Sequence, residues 1–113
     1  VKKNMGMAHV RVGPVRAAHR IVHRVGLPWG GLGLCINVGY QQLLVEQGCD
    51  VFIAGESDSY GFHFATECGI AMIETSHEIS ENPGLRQFTA LLTAEFPGVA
   101  FNFFENNCVW EID

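Results

Sequence analysis

The sequence predicts an α/β fold, a three-layer sandwich in which a mostly parallel sheet of about four strands carries helices on both faces. Three observations point there. From Pro14 onward, apolar runs of strand length alternate with segments of helical period. The joints between them are short and marked by glycine or proline, the pattern of βαβ units with right-handed crossovers. A chain of 113 residues, 48% hydrophobic and 17% charged, also suffices for one compact domain with a real core.

Residues 1–13 (VKKNMGMAHVRVG) show no clear period and read as a lead-in segment, and residues 14–113 read as a single α/β domain. Pro14 suits a first helical turn, and that helix runs to about Val25, before a turn region of Gly26, Pro28, Gly30, Gly31 and Gly33. LCINV at 34–38 reads as a short buried strand, and Gly39 as the turn into a helix over 40–47 that Gly48 terminates. Residues 51–54 form the second strand, 59–68 a helix closed by Gly69, and 70–74 the third strand. In the last helix Leu85, Phe88, Leu91, Leu92 and Phe96 recur at helical spacing, with Pro83 in its first turn and Pro97-Gly98 as its stop. VAFNFF at 99–104 closes as a fourth strand, and Trp110 and Ile112 make the tail an apolar cover for a sheet edge or another subunit.

The net charge of −5 hides an asymmetry: six of the seven Lys and Arg precede position 25, and all twelve acids lie from Glu46 onward. Arg16, Arg20 and Arg24 share one helical face, opposite Val15, Ala18, Ile21, Val22 and Val25. That stripe fits an organelle transit segment, a phosphate contact or a solvated surface helix, and the last is preferred. The acidic remainder opposes nucleic-acid binding. His9, His19 and His23 accompany the basic segment and are expected to face solvent. A start on Val1 is consistent with a chain that begins inside a longer reading frame. No apolar run approaches the roughly 18 residues that cross a bilayer, so no membrane partner is expected. Cys35, Cys49, Cys68 and Cys108 form no CxxC pair and read as free thiols in a reducing compartment, which implies a cytoplasmic location.

The chemistry concentrates between Asp50 and Arg86, where one apolar run ends on Glu56 and the next on His77, with Glu81 four residues later. In open α/β sheets ligands bind outside the carboxyl ends of the strands, so these side chains can converge. Imidazole and carboxylate together suit a divalent ion such as Zn, Mn or Fe, and a carboxylate can bridge two metals where a histidine cannot. His77 and Glu81 are therefore the candidate metal ligands, and Glu81 and Glu56 the candidate catalytic carboxylates. A plainer account fits the same residues. If Ser80 caps the last helix, Glu81 stabilises its first turn, His77 is a loop histidine bonded to backbone, and Glu56 caps the next helix. His63 lies inside the 59–68 helix and reads as packed. Gly31-Leu32-Gly33 precedes a strand and lacks a third glycine, so it makes no dinucleotide fingerprint, and no Walker A, G-x-S-x-G or H-E-x-x-H motif is present.

Taken in order, these residues resemble the C-terminal half of the Nif-three-like (NGG-interacting-factor-three-like) family, also called GTP cyclohydrolase 1 type 2 homologues. The resemblance runs from about Val15 to Glu105. It rests on GCDVFIAGE at 48–56 for the family's G-A-D-hydrophobic-T-G-E/D and on the spacing of Ala65, Glu67 and Gly69. Above all it rests on SHEISENPGLR at 76–86 for G-H-Y-A-T-E-x-x-G-hydrophobic-R. It implies a dinuclear metal centre, a homo-oligomer in the form of a toroidal hexamer, His77 as a ligand and Glu81 as the carboxylate that bridges or completes the pair. Ser59 and Tyr60 stand where the family has two histidines, and Ser76 replaces the glycine before His77. The family's His-His pair and aspartate ligand belong to an N-terminal half. The expectation is thus a fragment, or a short relative whose site is partial or completed by another polypeptide. Where active, it would be a metal-dependent hydrolase of a nucleotide-like or other small substrate, its metal-activated water positioned or deprotonated by Glu81 or Glu56. The alternative is a non-catalytic interaction or assembly domain with a partial or lost metal site.

Overall fold

The structure is a computed structural model that describes residues 1–14, 21–31 and 37–112, the side chain of Asn37 apart. The elements run α1 (Lys2–Met5), β1 (Arg11–Gly13), β2 (Val25–Gly26), α2 (Asn37–Glu46), β3 (Val51–Ala54), α3 (Ser59–Glu67), β4 (Ala71–Glu74) and α4 (His77–Glu95). The four strands form one sheet in the order β1-β4-β3-β2. β2 with β3 and β3 with β4 are parallel, whereas β1 lies antiparallel on β4. The fold is α/β as expected, but the sheet is mixed rather than mostly parallel. The physical reason is Arg11, in the stretch without a period, whose guanidinium meets the buried carboxylate of Glu74 at 2.7 Å and ties an extra edge strand to β4.

The two central strands form where the sequence places them, because each is a short apolar run bounded by residues that stop it. Phe52 and Met72 are fully buried, and with Cys49, Ala65 and Ile70 they make the core that Leu44, Val45 and Phe62 of α2 and α3 pack against. α3 starts where Asp58 accepts the Gly61 N–H at 2.8 Å, and positive φ at Gly48 and Gly69 marks the turns after α2 and α3.

The outer elements differ from expectation. Residues 15–20, with Arg16, Arg20 and His19, lie outside the described residues, as do 32–36, which include Leu34, Cys35 and Ile36 of the expected LCINV strand. Val25–Gly26 is strand rather than helix end, fixed by Asp50, whose carboxylate accepts the backbone N–H of His23 and Arg24 at 2.9 Å each. Those two bonds, His23's first, hold the Asp50 carboxyl below its ordinary pKa. Asn37 and Val38 open α2 instead of ending a strand. VAFNFF is no strand: Phe101 and Phe103 are half-buried and Asn102 and Phe104 exposed, the alternation of a strand, but no ladder partner exists among the described residues. The segment runs back along α4, where Asn106 is held by Asn82 and Glu105 by Arg86. Trp110 is half-buried and Ile112 exposed, beside Met7 and Ile79. No helix among the described residues is long and apolar enough to cross a membrane.

α4 begins six residues before Pro83, with Ser76 rather than Ser80 as its N-cap, so Pro83 lies inside the helix. The Ser76 hydroxyl also donates to Glu78 at 2.6 Å, which, ahead of a backbone bond, lowers the Glu78 carboxyl below its ordinary pKa.

Two measurements check this packing. Phe52→Ala is expected to lower the urea-unfolding free energy by about 3–5 kcal/mol, the usual result for a buried Phe truncation. Because the Glu78 carboxyl is lowered in the folded state, its contribution is present near neutral pH and disappears as pH falls below about 4. Thermal melts of wild type and Glu78→Gln should therefore differ near neutrality, wild type the more stable, and converge in acid.

Candidate metal centre

The register of the two central strands positions the site. Ala54 is level with Glu74, so the chain leaves both strands at the same edge of the sheet. Glu56 lies two residues beyond the end of β3, and His77 three beyond the end of β4 as the first residue of α4, with Glu81 one helical turn later. The structure brings these three together. His77 Nε2 is 3.0 Å from Glu81 Oε1 and Nδ1 is 3.7 Å from Glu56 Oε1, and the three side chains are 41%, 45% and 41% exposed.

The two carboxylates thus face opposite nitrogens of one ring. A neutral imidazole offers one lone pair, so a single ion could be held through Nε2 together with Glu81 only if the ring proton moved to Nδ1, on the side of Glu56. Among the described residues no group of three or more His, Cys, Asp and Glu could hold a metal ion. The donor types fit a divalent cation. Their arrangement supplies two ligands and a neighbouring carboxylate, not a closed dinuclear cage.

The turn that carries Glu56 is held from below by a buried acid. Glu74 Oε2 accepts the Ser57 N–H at 2.8 Å while its Oε1 meets Arg11, so the edge strand and the site loop share one carboxylate. Thr75 adds its N–H and its hydroxyl to the Ala54 carbonyl at 3.0 and 3.1 Å, locking the ends of β3 and β4 together.

A second wall went unread in the sequence. Beyond β2 the chain continues alongside the end of β3: Gly55 N–H donates to the Trp29 carbonyl at 3.0 Å, Glu56 N–H to the Gly30 carbonyl at 2.9 Å, and the Trp29 indole N–H to the Glu56 carbonyl at 2.6 Å. This strap passes so close to α4 that a Cβ at Gly31 would stand 2.5 Å from His77 Cε1, and one at Gly30 3.0 Å from Glu81 Oε1. The glycines are therefore not a loose turn region. They are the backbone face against which His77 and Glu81 lie, and the density of glycine between 26 and 33 was the signal available.

The remaining candidates lie elsewhere. His63 is exposed rather than packed, with Arg11 at a shallow hollow beside α3. His9 and His23 are exposed as expected, and the Arg24 guanidinium donates to the Gln47 carbonyl. Cys49, Cys68 and Cys108 are free thiols.

Comparison with known proteins agrees with this architecture. A relative from Haemophilus influenzae named GTP cyclohydrolase 1 type 2 homolog is 32% identical over 76 residues, which is 67% of this chain and 28% of the relative. A namesake from Neisseria meningitidis serogroup A is 30% identical over 69 residues, 61% of this chain and 28% of that protein. The crystal structure of Staphylococcus aureus protein SA1388 superposes with a TM-score of 0.66 at 25% identity over 85% of this chain and 29% of its own. TTHA1606 from Thermus thermophilus shares the fold, with a TM-score of 0.60 at 23% identity, over 96% of this chain and 40% of its own. The chain therefore spans less than a third of the length of the curated relatives it matches. The family model Duf34/NIF3 (NGG1p interacting factor 3) matches residues 1–108, and the chain belongs to that family.

Proposed function

We propose that this chain binds a divalent metal ion, Zn, Mn or Fe, through His77 and Glu81 and contributes that site to a metal-dependent hydrolase acting on a nucleotide-like or other small substrate. The observation that carries the reading is the 3.0 Å approach of His77 Nε2 to Glu81 Oε1 at the carboxyl ends of two parallel strands. The name of the relatives, GTP cyclohydrolase 1 type 2 homolog, supports a nucleotide-like substrate. A bound metal would supply an acidified water. The chain's own residues would do the rest: Glu56, 3.7 Å from Nδ1, favours the tautomer that carries its proton there and leaves Nε2 to the ion, and Glu81 or Glu56 would take a proton from water. A second metal and the ligands to hold it are not among these residues, so the dinuclear centre and the hexamer belong to this proposal only as properties of a larger assembly, for which a cytoplasmic setting is proposed. In that assembly a third layer would form on the sheet face opposite α2 and α3, to which α1 and the start of α4 lead.

One observation also fits the second reading, a non-catalytic assembly module. Leu85, Phe88 and Leu91 expose an apolar row along α4, which suits contact with another chain as well as it suits the proposed oligomer.

Metal content per chain, measured by elemental mass spectrometry on protein purified without chelator, separates the two. Metal is expected in wild type and absent from His77→Ala/Glu81→Ala; a folded wild type without metal would leave the assembly reading. Gly31→Val serves as a second check. Its side chain collides with the His77 ring, so metal affinity is expected to fall by about tenfold or more, the scale of a disturbed supporting residue at a metal site.

A further inference from the structure

A cavity of about 500 Å³ opens beside the strap, with Gly30 and Gly55 in its wall. Its apolar walls are Met5 of α1, Leu27 and Trp29 of the strap, Ile53 of β3 and Pro83 of α4. Its polar side chains, the exposed Asn4 apart, are already engaged. The Trp29 indole N–H bonds the Glu56 carbonyl, the Thr75 hydroxyl the Ala54 carbonyl, and the Ser80 hydroxyl the His77 carbonyl at 2.7 Å. An occupant thus meets apolar surface and few groups seeking a hydrogen bond. The volume falls in the range of about 300–1,000 Å³ typical of small-molecule sites.

The cavity adjoins the candidate metal centre rather than lying apart from it. Gly30, Gly55 and Ser80 are walls of both: a Cβ at Gly30 would touch Glu81 at 3.0 Å and Ser80 Oγ at 3.2 Å, and Gly55 precedes Glu56. The indole of Trp29, pinned at its nitrogen to the Glu56 backbone, joins the two compartments rigidly.

We infer that this cavity is a binding subsite for a neutral, apolar, ring-sized group, which marks the substrate as a small molecule with such a ring at one end and its hydrolysable bond near His77 and Glu81. The statement about substrate rests on the hydrolase reading above; the binding of the ring does not. Few unengaged donors and acceptors line the cavity, so it selects for an apolar ring and against a polar one such as a nucleobase, because each buried polar atom left without a partner costs affinity; within the reading above this favours the other small substrate over the nucleotide-like one.

Indole, which carries no metal-binding charge, is the probe. Titrated calorimetrically into the full chain, it is expected to bind saturably to wild type and equally well to His77→Ala/Glu81→Ala. Affinity is expected to fall about tenfold or more in Ile53→Trp, whose ring occupies the cavity, and in Leu27→Trp at its exposed rim. The rim variant keeps the test valid should the first not fold, since Leu27 is 72% exposed. Absence of saturable binding to wild type, or unchanged affinity in a folded Leu27→Trp, would overturn the subsite. Indole binding by a wild type that takes up no metal would keep the subsite and remove the hydrolase reading. Metal uptake without indole binding would do the reverse.

Discussion

Everything at this site depends on one pairing: β3 and β4 run parallel and in register, so their last residues are level. Parallel neighbours deliver both exits to one edge, and a helix start and a loop start then share that edge without additional chain length. Were β4 reversed, His77 and Glu56 would leave the sheet at opposite ends, as far apart as the strands are long. The antiparallel β1 does not disturb this, because it joins the far side of β4 and contributes a cation rather than a ligand.

That cation matters because the site is underlain by a buried acid. Glu74 is almost fully enclosed, and an enclosed carboxylate is tolerated only when its oxygens are occupied. Arg11 takes one oxygen and the Ser57 amide the other, so the acid that ends β4 also shapes the turn after β3. Arg11 further lies over the Phe62 ring at 5.1 Å, which links the same ion pair to α3. Edge strand, site loop and helix are thus coupled through a single side chain.

How much of this was legible follows from what each element is made of. β3 and β4 are apolar runs with clear stops, and Glu56, His77 and Glu81 stand at those stops, so strands and site residues could be read together. β2 has two residues and β1 three, too few to show a period, and Arg11 acquires its role only through a partner 63 residues away. The start of α4 was displaced by Pro83, because proline marks a first helical turn more often than an interior one. The strap was misread as a turn for a different reason: it acts through backbone groups, and the glycine density that marks it shows no side-chain pattern that separates a wall from a turn. Residues 101–104 alternate between half-buried and exposed with no ladder partner among the described residues, because alternation reports the faces of a segment and not its hydrogen bonding.

Pro83 has a mechanical effect on the helix that carries the metal candidates. Having no N–H, it cannot bond the Ile79 carbonyl, and its ring crowds that same carbonyl. The opening turn with His77 and Glu81 is therefore joined to the shaft from Gly84 to Glu95 by one helical hydrogen bond fewer than an uninterrupted helix would have, and the Ile79 carbonyl is left to seek another donor.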